Sequence, residues 1–79
     1  MSKNITIEYC TSWGYVARAV ALTENLLKEN KNTLAMVSLI PSTGGVFEVK
    51  LNDKMIFSKK ELNRYPKENE IEEIITGKK

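Results

Sequence analysis

The sequence predicts an α/β (α+β) domain: a mixed four-stranded sheet with two helices packed on it, in the order β-α-β-β-β-α. Three observations carry that expectation. The segment KNITIEY alternates polar and apolar residues and runs at once into a helical pattern. TLAMVSLI is apolar at nearly every position and stops at a proline and a glycine-rich loop. VFEVKL and KMIFS alternate on either side of Asn52-Asp53, a two-residue hairpin signal.

In chain order, Lys3 to Tyr9 forms the first strand, with Ile5 and Ile7 on one face and Asn4, Thr6 and Glu8 on the other. Thr11 and Ser12 offer N-cap hydroxyls to a helix that starts at Gly14 or Tyr15 and reaches Asn30. Val16, Ala19, Val20, Thr23, Leu26 and Leu27 fall at helical spacing and predict its buried stripe. The helix stops in KENKN, where asparagines favour a turn. Thr33 to Ile40 is the second strand, apolar enough to be flanked on both sides, and Pro41 ends it. Val46 to Leu51 turns Phe47, Val49 and Leu51 inward, and Lys54 to Ser58 returns as the fourth strand. The polar KKELNRYPK leads to a short last helix with Ile71, Ile74 and Ile75 on one face and Gly77 as its C-cap. Strands one and two, flanking a helix, should be parallel with a right-handed crossover. Strands three and four form an antiparallel hairpin. That topology is thioredoxin-like.

A chain of 79 residues has room for one small domain, 1–79, burying roughly 60–65% of its unfolded surface. Its 42% hydrophobic and 28% charged residues are those of an ordinary globule, and a net charge of +2 is too weak a bias to call for nucleic acid. Lys59, Lys60, Arg64 and Lys67 could hold phosphates, but the glutamates that follow would repel them and no aromatic series accompanies the lysines. The polar start and the lack of a long apolar run argue against a signal peptide or membrane span, so the cytoplasm is the expected location. With no histidine and one cysteine, zinc is not expected.

The chemistry concentrates in YCTSWGY, residues 9–15. Cys10 stands at the junction of the first strand and helix, where thioredoxin-like folds keep a reactive sulfur. Only the thiolate is nucleophilic, and the free N–H groups and dipole of a helix start favour negative charge there, although Glu8 opposes it. Cys10 is thus expected to be solvent-reachable and partly ionised; the alternative is a buried cysteine serving as a small hydrophobe. Trp13 reads first as a packing anchor, and otherwise as an exposed docking residue.

Three blocks together, YCTSWGYVARA, LIPSTGGVFEV and MIFSKKELNRYP, resemble the selenoprotein W-like or Rdx family of thioredoxin-fold redox proteins over nearly the whole chain. The family pattern at the first junction is Cys-x-x-Cys or Cys-x-x-selenocysteine. Cys10 matches the first position; Trp13 occupies the second and departs from it. The resemblance implies thiol–disulfide or selenenylsulfide exchange, with Cys10 as nucleophile and glutathione or protein thiols and disulfides as partners. It further implies that Thr11, Ser12, Thr43, Gly44, Gly45, Ser58 and Lys59 surround the incoming substrate, with no bound cofactor, in a monomer or weak oligomer. Glycines would let a peptide backbone approach closely, and the SKK run would draw an anion such as glutathione.

An indole cannot resolve a mixed disulfide, so three explanations compete. Selenocysteine is encoded by UGA, one base from the tryptophan codon, and Trp13 would then stand where the native gene encodes selenocysteine. Alternatively Cys10 works as a single cysteine completed by an external thiol. Or the chemistry is lost, and a non-catalytic interaction module remains on the Trp13 and Thr43–Gly45 surface.

Overall fold

The computed structural model describes residues 3–30, 34–67 and 69–76. Its elements are β1 (Lys3–Cys10), α1 (Tyr15–Glu29), β2 (Leu34–Ser42), β3 (Phe47–Leu51), β4 (Lys54–Ser58), α2 (Lys59–Leu62) and α3 (Glu70–Thr76). The four strands make one open mixed sheet in the order β2-β1-β3-β4. β1 runs parallel to β2 and antiparallel to β3, and β3 and β4 form the expected hairpin around Asn52 and Asp53. Asn52 takes a left-handed φ of 57°, which asparagine tolerates in tight turns.

Alternation along the strands builds the core. Ile5 and Ile7 of β1, Phe47 and Val49 of β3 and Phe57 of β4 are buried together with Ala19, Leu22 and Leu26 of α1 and Ile71 and Ile75 of α3. Each large side chain so buried contributes about 1.5–3 kcal/mol. α1 lies over β1 and β2, α3 lies over β4, and the two helices touch, which places both on one face of the sheet.

Five expectations need correction. The buried stripe of α1 is Tyr15, Ala19, Leu22 and Leu26, whereas Val16, Val20 and Leu27 are 43%, 53% and 51% exposed. Having α3 on one flank only, the helix is rotated towards it, and the opposite flank stays open. Thr11 and Ser12 do not cap α1 with their hydroxyls; Gly14 is the N-cap at φ 77°, and the Tyr15 N–H donates to the Ser12 carbonyl at 3.3 Å. β2 is an edge strand, not an interior one: Met36, Leu39 and Ile40 are 39–54% exposed. Pro41 does not end it, and pairing continues to Ser42. Edge position explains this, since a proline whose missing N–H faces outward costs the sheet no bond. Finally, KKEL forms a helical turn, α2, begun by Ser58. Gly77 as a C-cap and Thr33 as a strand residue lie outside the described residues.

Candidate functional site

β1 delivers Cys10 to the end of the sheet beside the loop that joins β2 to β3. The Cys10 N–H donates to the Val46 carbonyl at 2.9 Å and the Thr11 N–H to the Ser42 carbonyl at 3.2 Å. The two flanks of the loop holding Thr43, Gly44 and Gly45 are therefore tied to the residues carrying the sulfur. The Ser12 N–H points at Cys10 Sγ at 3.4 Å.

Cys10 is 2% exposed and belongs to the same buried cluster as Tyr15 and Phe47. The expectation of a solvent-reachable thiol is thus not met. That cluster includes aromatic packing the sequence did not reveal. Tyr15, the first residue of α1, meets Tyr65 with the ring centres 4.6 Å apart and the planes tilted by 57°, and Tyr65 also meets Phe47 edge-on at 5.9 Å. Burial, a hydrogen bond with Tyr15 and, to a lesser degree, Cys10 itself push the Tyr65 hydroxyl well above the usual phenol range, so it stays protonated.

Tyr65 sits in an irregular segment held by charge. Arg64 forms a two-pronged bond to Glu70 at 2.8 and 2.9 Å and donates to the Tyr65 carbonyl at 3.0 Å. The Lys67 N–H adds a third bond to Glu70 at 2.8 Å. Arg64 first, then this N–H, holds the Glu70 carboxyl down to about 2. Arg18 lies over the outer face of the Tyr65 ring at 4.3 Å. Beside these rings a cleft of about 330 Å³ runs between α1 and the 65–72 segment, with Leu22, Phe47 and Ile71 as its apolar lining and Arg18 and Lys67 among its polar residues.

Trp13 is not a packing anchor. It is 76% exposed and takes a left-handed backbone conformation, φ 58°, rare for a bulky residue. Its ring meets Tyr15 edge-on at 6.3 Å and lies over Gly45: a Cβ on Gly45 would be 3.6 Å from Trp13, 3.7 Å from the Tyr15 hydroxyl and 4.0 Å from the Lys59 ammonium. Trp13 and Lys59 therefore meet over Tyr15 and Gly45, both of which are buried. Thr11, Ser12, Thr43 and Gly44 are exposed around them. Gly44 and Gly45 both have positive φ, 79° and 73°.

Ser58 does not join them. Its hydroxyl donates to Glu48 at 2.6 Å and accepts the Glu61 N–H at 3.2 Å, capping α2 and thereby placing Lys59. Tyr15, Tyr65 and Arg18 are the residues that sequence reasoning missed. Of these only Tyr15, next to Gly14 in the cysteine cluster, carried a local signal. Among the described residues no group of three His, Cys, Asp or Glu is gathered as a metal site, and no helix is long and apolar enough to cross a membrane.

The Rdx family model matches residues 4–77. Among solved structures, the chain is similar to a selenoprotein W-related protein from Vibrio cholerae, 27% identical, covering 92% of this chain and 91% of that one with a TM-score of 0.85. It is likewise similar to a protein from Bordetella parapertussis, 25% identical, covering both chains fully with a TM-score of 0.88. No protein with a curated description matches significantly.

Proposed function

Because the chain belongs to the Rdx family, we propose that it is a small redox protein of thioredoxin-like fold whose working group is the Cys10 sulfur. The thiolate of Cys10 attacks one sulfur of a disulfide, such as glutathione disulfide. The old S–S bond breaks, a mixed disulfide forms on Cys10, and the leaving thiolate takes a proton from water. A second thiolate then attacks the Cys10-bound partner, restoring the free cysteine and carrying the disulfide away. Where position 13 holds selenocysteine, its selenolate instead attacks Cys10 Sγ, the partner leaves as a thiolate, and the Cys10–selenocysteine selenenylsulfide so formed is reduced by external thiols. With Trp13 an external thiol, glutathione or a protein thiol, must make the second attack. A reducing compartment such as the cytoplasm supplies that thiol.

The observation that carries this reading is the convergence at the end of β1. The sulfur receives the Ser12 N–H, Thr43 and Gly44 are exposed on the adjoining surface, and Lys59 borders Gly45, which the Trp13 ring buries. With the exposed Trp13 ring moved aside, Gly45 allows a peptide backbone close, and the ammonium suits a carboxylate of glutathione. The exposed, left-handed Trp13 supports the view that this position was not shaped around an indole. An ordinary UGG codon at position 13 of the natural gene would end the selenocysteine reading.

Intact-mass measurement after exposure to glutathione disulfide tests the chemistry. One glutathionyl group on Cys10, removed again by reduced glutathione, is expected; a folded protein that never gains it refutes the proposal. A second reading, a non-catalytic interaction module, is favoured by the 2% exposure of Cys10 beside the 76% exposure of Trp13. It predicts no adduct, and a partner whose binding is lost in Trp13→Ala.

A further inference from the structure

The two edges of the sheet are protected very differently. The β4 edge is short, carries Lys54, shares a register irregularity with β3 and turns directly into α2. The β2 edge runs for nine residues, LAMVSLIPS, without one charged side chain. Natural edge strands usually carry lysines, inward-pointing charges or bulges that forbid further pairing; at this edge the interruptions lie near the two ends, Pro41 at one and, at the other, an irregularity where Leu34 and Met36 pair with the consecutive Lys3 and Asn4.

The direction of the unpaired groups can be worked out. The Ser42 carbonyl accepts from the Thr11 N–H, so Ser42 turns its main-chain groups towards β1. In an extended strand these groups alternate sides, so Ser42, Ile40 and Ser38 face β1, while Pro41, Leu39 and Val37 face away. Pro41 has no N–H to leave unsatisfied. Val37 and Leu39 present both donor and acceptor to whatever lies beside them. Exposed apolar side chains flank this row: Met36, Leu39 and Ile40 on the strand, and Val16, Val20 and Leu27 on the flank of α1 turned away from α3.

We propose that the β2 edge is the interface of a weak symmetric dimer, in which β2 pairs antiparallel with β2 of a second copy. A two-fold axis near Ser38 sets Val37 against the partner copy's Leu39, so each outward N–H finds an outward carbonyl and apolar side chains meet apolar ones. No like charges are brought together along the strand, and a net charge of +2 adds little repulsion. At about 3.3 Å per residue the edge is ~30 Å long; a strip roughly 15 Å deep, sheet plus helix, covers on the order of 500 Å² per copy. The total, about 1,000 Å², sits at the lower bound of a specific interface and implies a dissociation constant on the order of 10–100 µM. Antiparallel pairing puts the Cys10 ends of the two copies at opposite extremities, so the dimer leaves both reactive surfaces open.

Sedimentation velocity on the wild-type chain from about 10 to 500 µM tests this. The mean mass should climb from the 9.0 kDa monomer towards twice that value and no further. Met36→Lys and Val20→Glu alter side chains that are 54% and 53% exposed, one on the strand and one on the helix, so the fold survives, as thermal melting would confirm. Each should weaken association at least ten-fold, and hydrogen exchange at Val37 and Leu39 should slow with concentration in the wild type only. A wild-type chain that stays monomeric overturns the proposal and leaves the edge to an extended segment of another protein. Higher aggregates, variants that associate as well as wild type, or exchange indifferent to concentration also overturn it.

Discussion

Gly44 and Gly45 are neighbours with nearly the same backbone and very different surroundings, which makes them a matched pair. At φ 79° and 73° either position penalises an L side chain, by about 1–2 kcal/mol. Steric crowding adds nothing at Gly44, where no atom lies within 4 Å of the added Cβ. At Gly45 the nearest atom, on Trp13, is at 3.6 Å, an ordinary van der Waals distance. Gly44→Ala and Gly45→Ala should therefore lose similar stability, which for a domain of this size lowers Tm by about 4–8 °C per kcal/mol. Their chemistry should differ. A methyl at Gly45 projects between Trp13, Tyr15 and Lys59, where the ligand backbone is proposed to lie once the Trp13 ring moves aside. Losing one hydrogen bond there, worth about 0.5–1.5 kcal/mol, slows adduct formation roughly 2- to 12-fold. Gly44→Ala should stay within about 2-fold of wild type. Thermal unfolding by circular dichroism and the rate of glutathionyl addition by mass spectrometry give the two readings. A Gly44→Ala protein slowed as much as Gly45→Ala, or a Gly45→Ala protein not slowed at all, would refute the placement of the ligand.

Trp13→Gly should leave stability within about 0.5 kcal/mol of wild type or raise it, because relief of the left-handed strain offsets the lost edge contact; a buried aromatic would lose about 3–5 kcal/mol. Urea titration reads the difference. Ser58→Ala should cost about 1–2 kcal/mol through the lost cap and the bond to Glu48, yet leave the rate of Cys10 glutathionylation within about 2-fold. The Glu70 carboxyl is depressed in the folded state, so its contribution to stability is fully present above the ordinary value near 4.5 and is lost as pH falls towards about 2. Melting temperatures should accordingly fall less steeply from pH 5 to 2 in Glu70→Gln than in wild type, and equal slopes would contradict the assignment.

Much of the fold was legible because it rests on local periodicity. Ile5 and Ile7, Phe47 and Val49, and the Asn52-Asp53 turn each declare their element without reference to distant residues. What was hidden depended on long-range placement. LAMVSLI reads as an interior strand by composition, and only strand order makes it an edge. The rotation of α1 follows from α3 packing on one flank, which no window around Val16 or Val20 can register. At the site, the position of Cys10 at a strand–helix junction was plain, as was the glycine loop beside it. The aromatic packing was not. Tyr65 is fifty residues from Tyr15 in sequence, and its seat depends on an Arg64–Glu70 pair formed across an irregular segment. Ser58 looked like a ligand contact because it opens the SKK run of the family resemblance, but its hydroxyl is taken up by Glu48 and the cap of α2.

Because Cys10 is 2% exposed, in a cluster that holds Tyr15 and has Tyr65 packed against it, the chemistry proposed for it requires local opening of that packing. The most direct test is the rate of Cys10 modification by glutathione disulfide as urea is raised through the sub-denaturing range. Local opening predicts a measurable rate in water that is nearly flat in urea, since little surface is exposed. A rate that rises with the full urea dependence of global unfolding, extrapolating to nothing in the native protein, would show that Cys10 is structural and contradict the account.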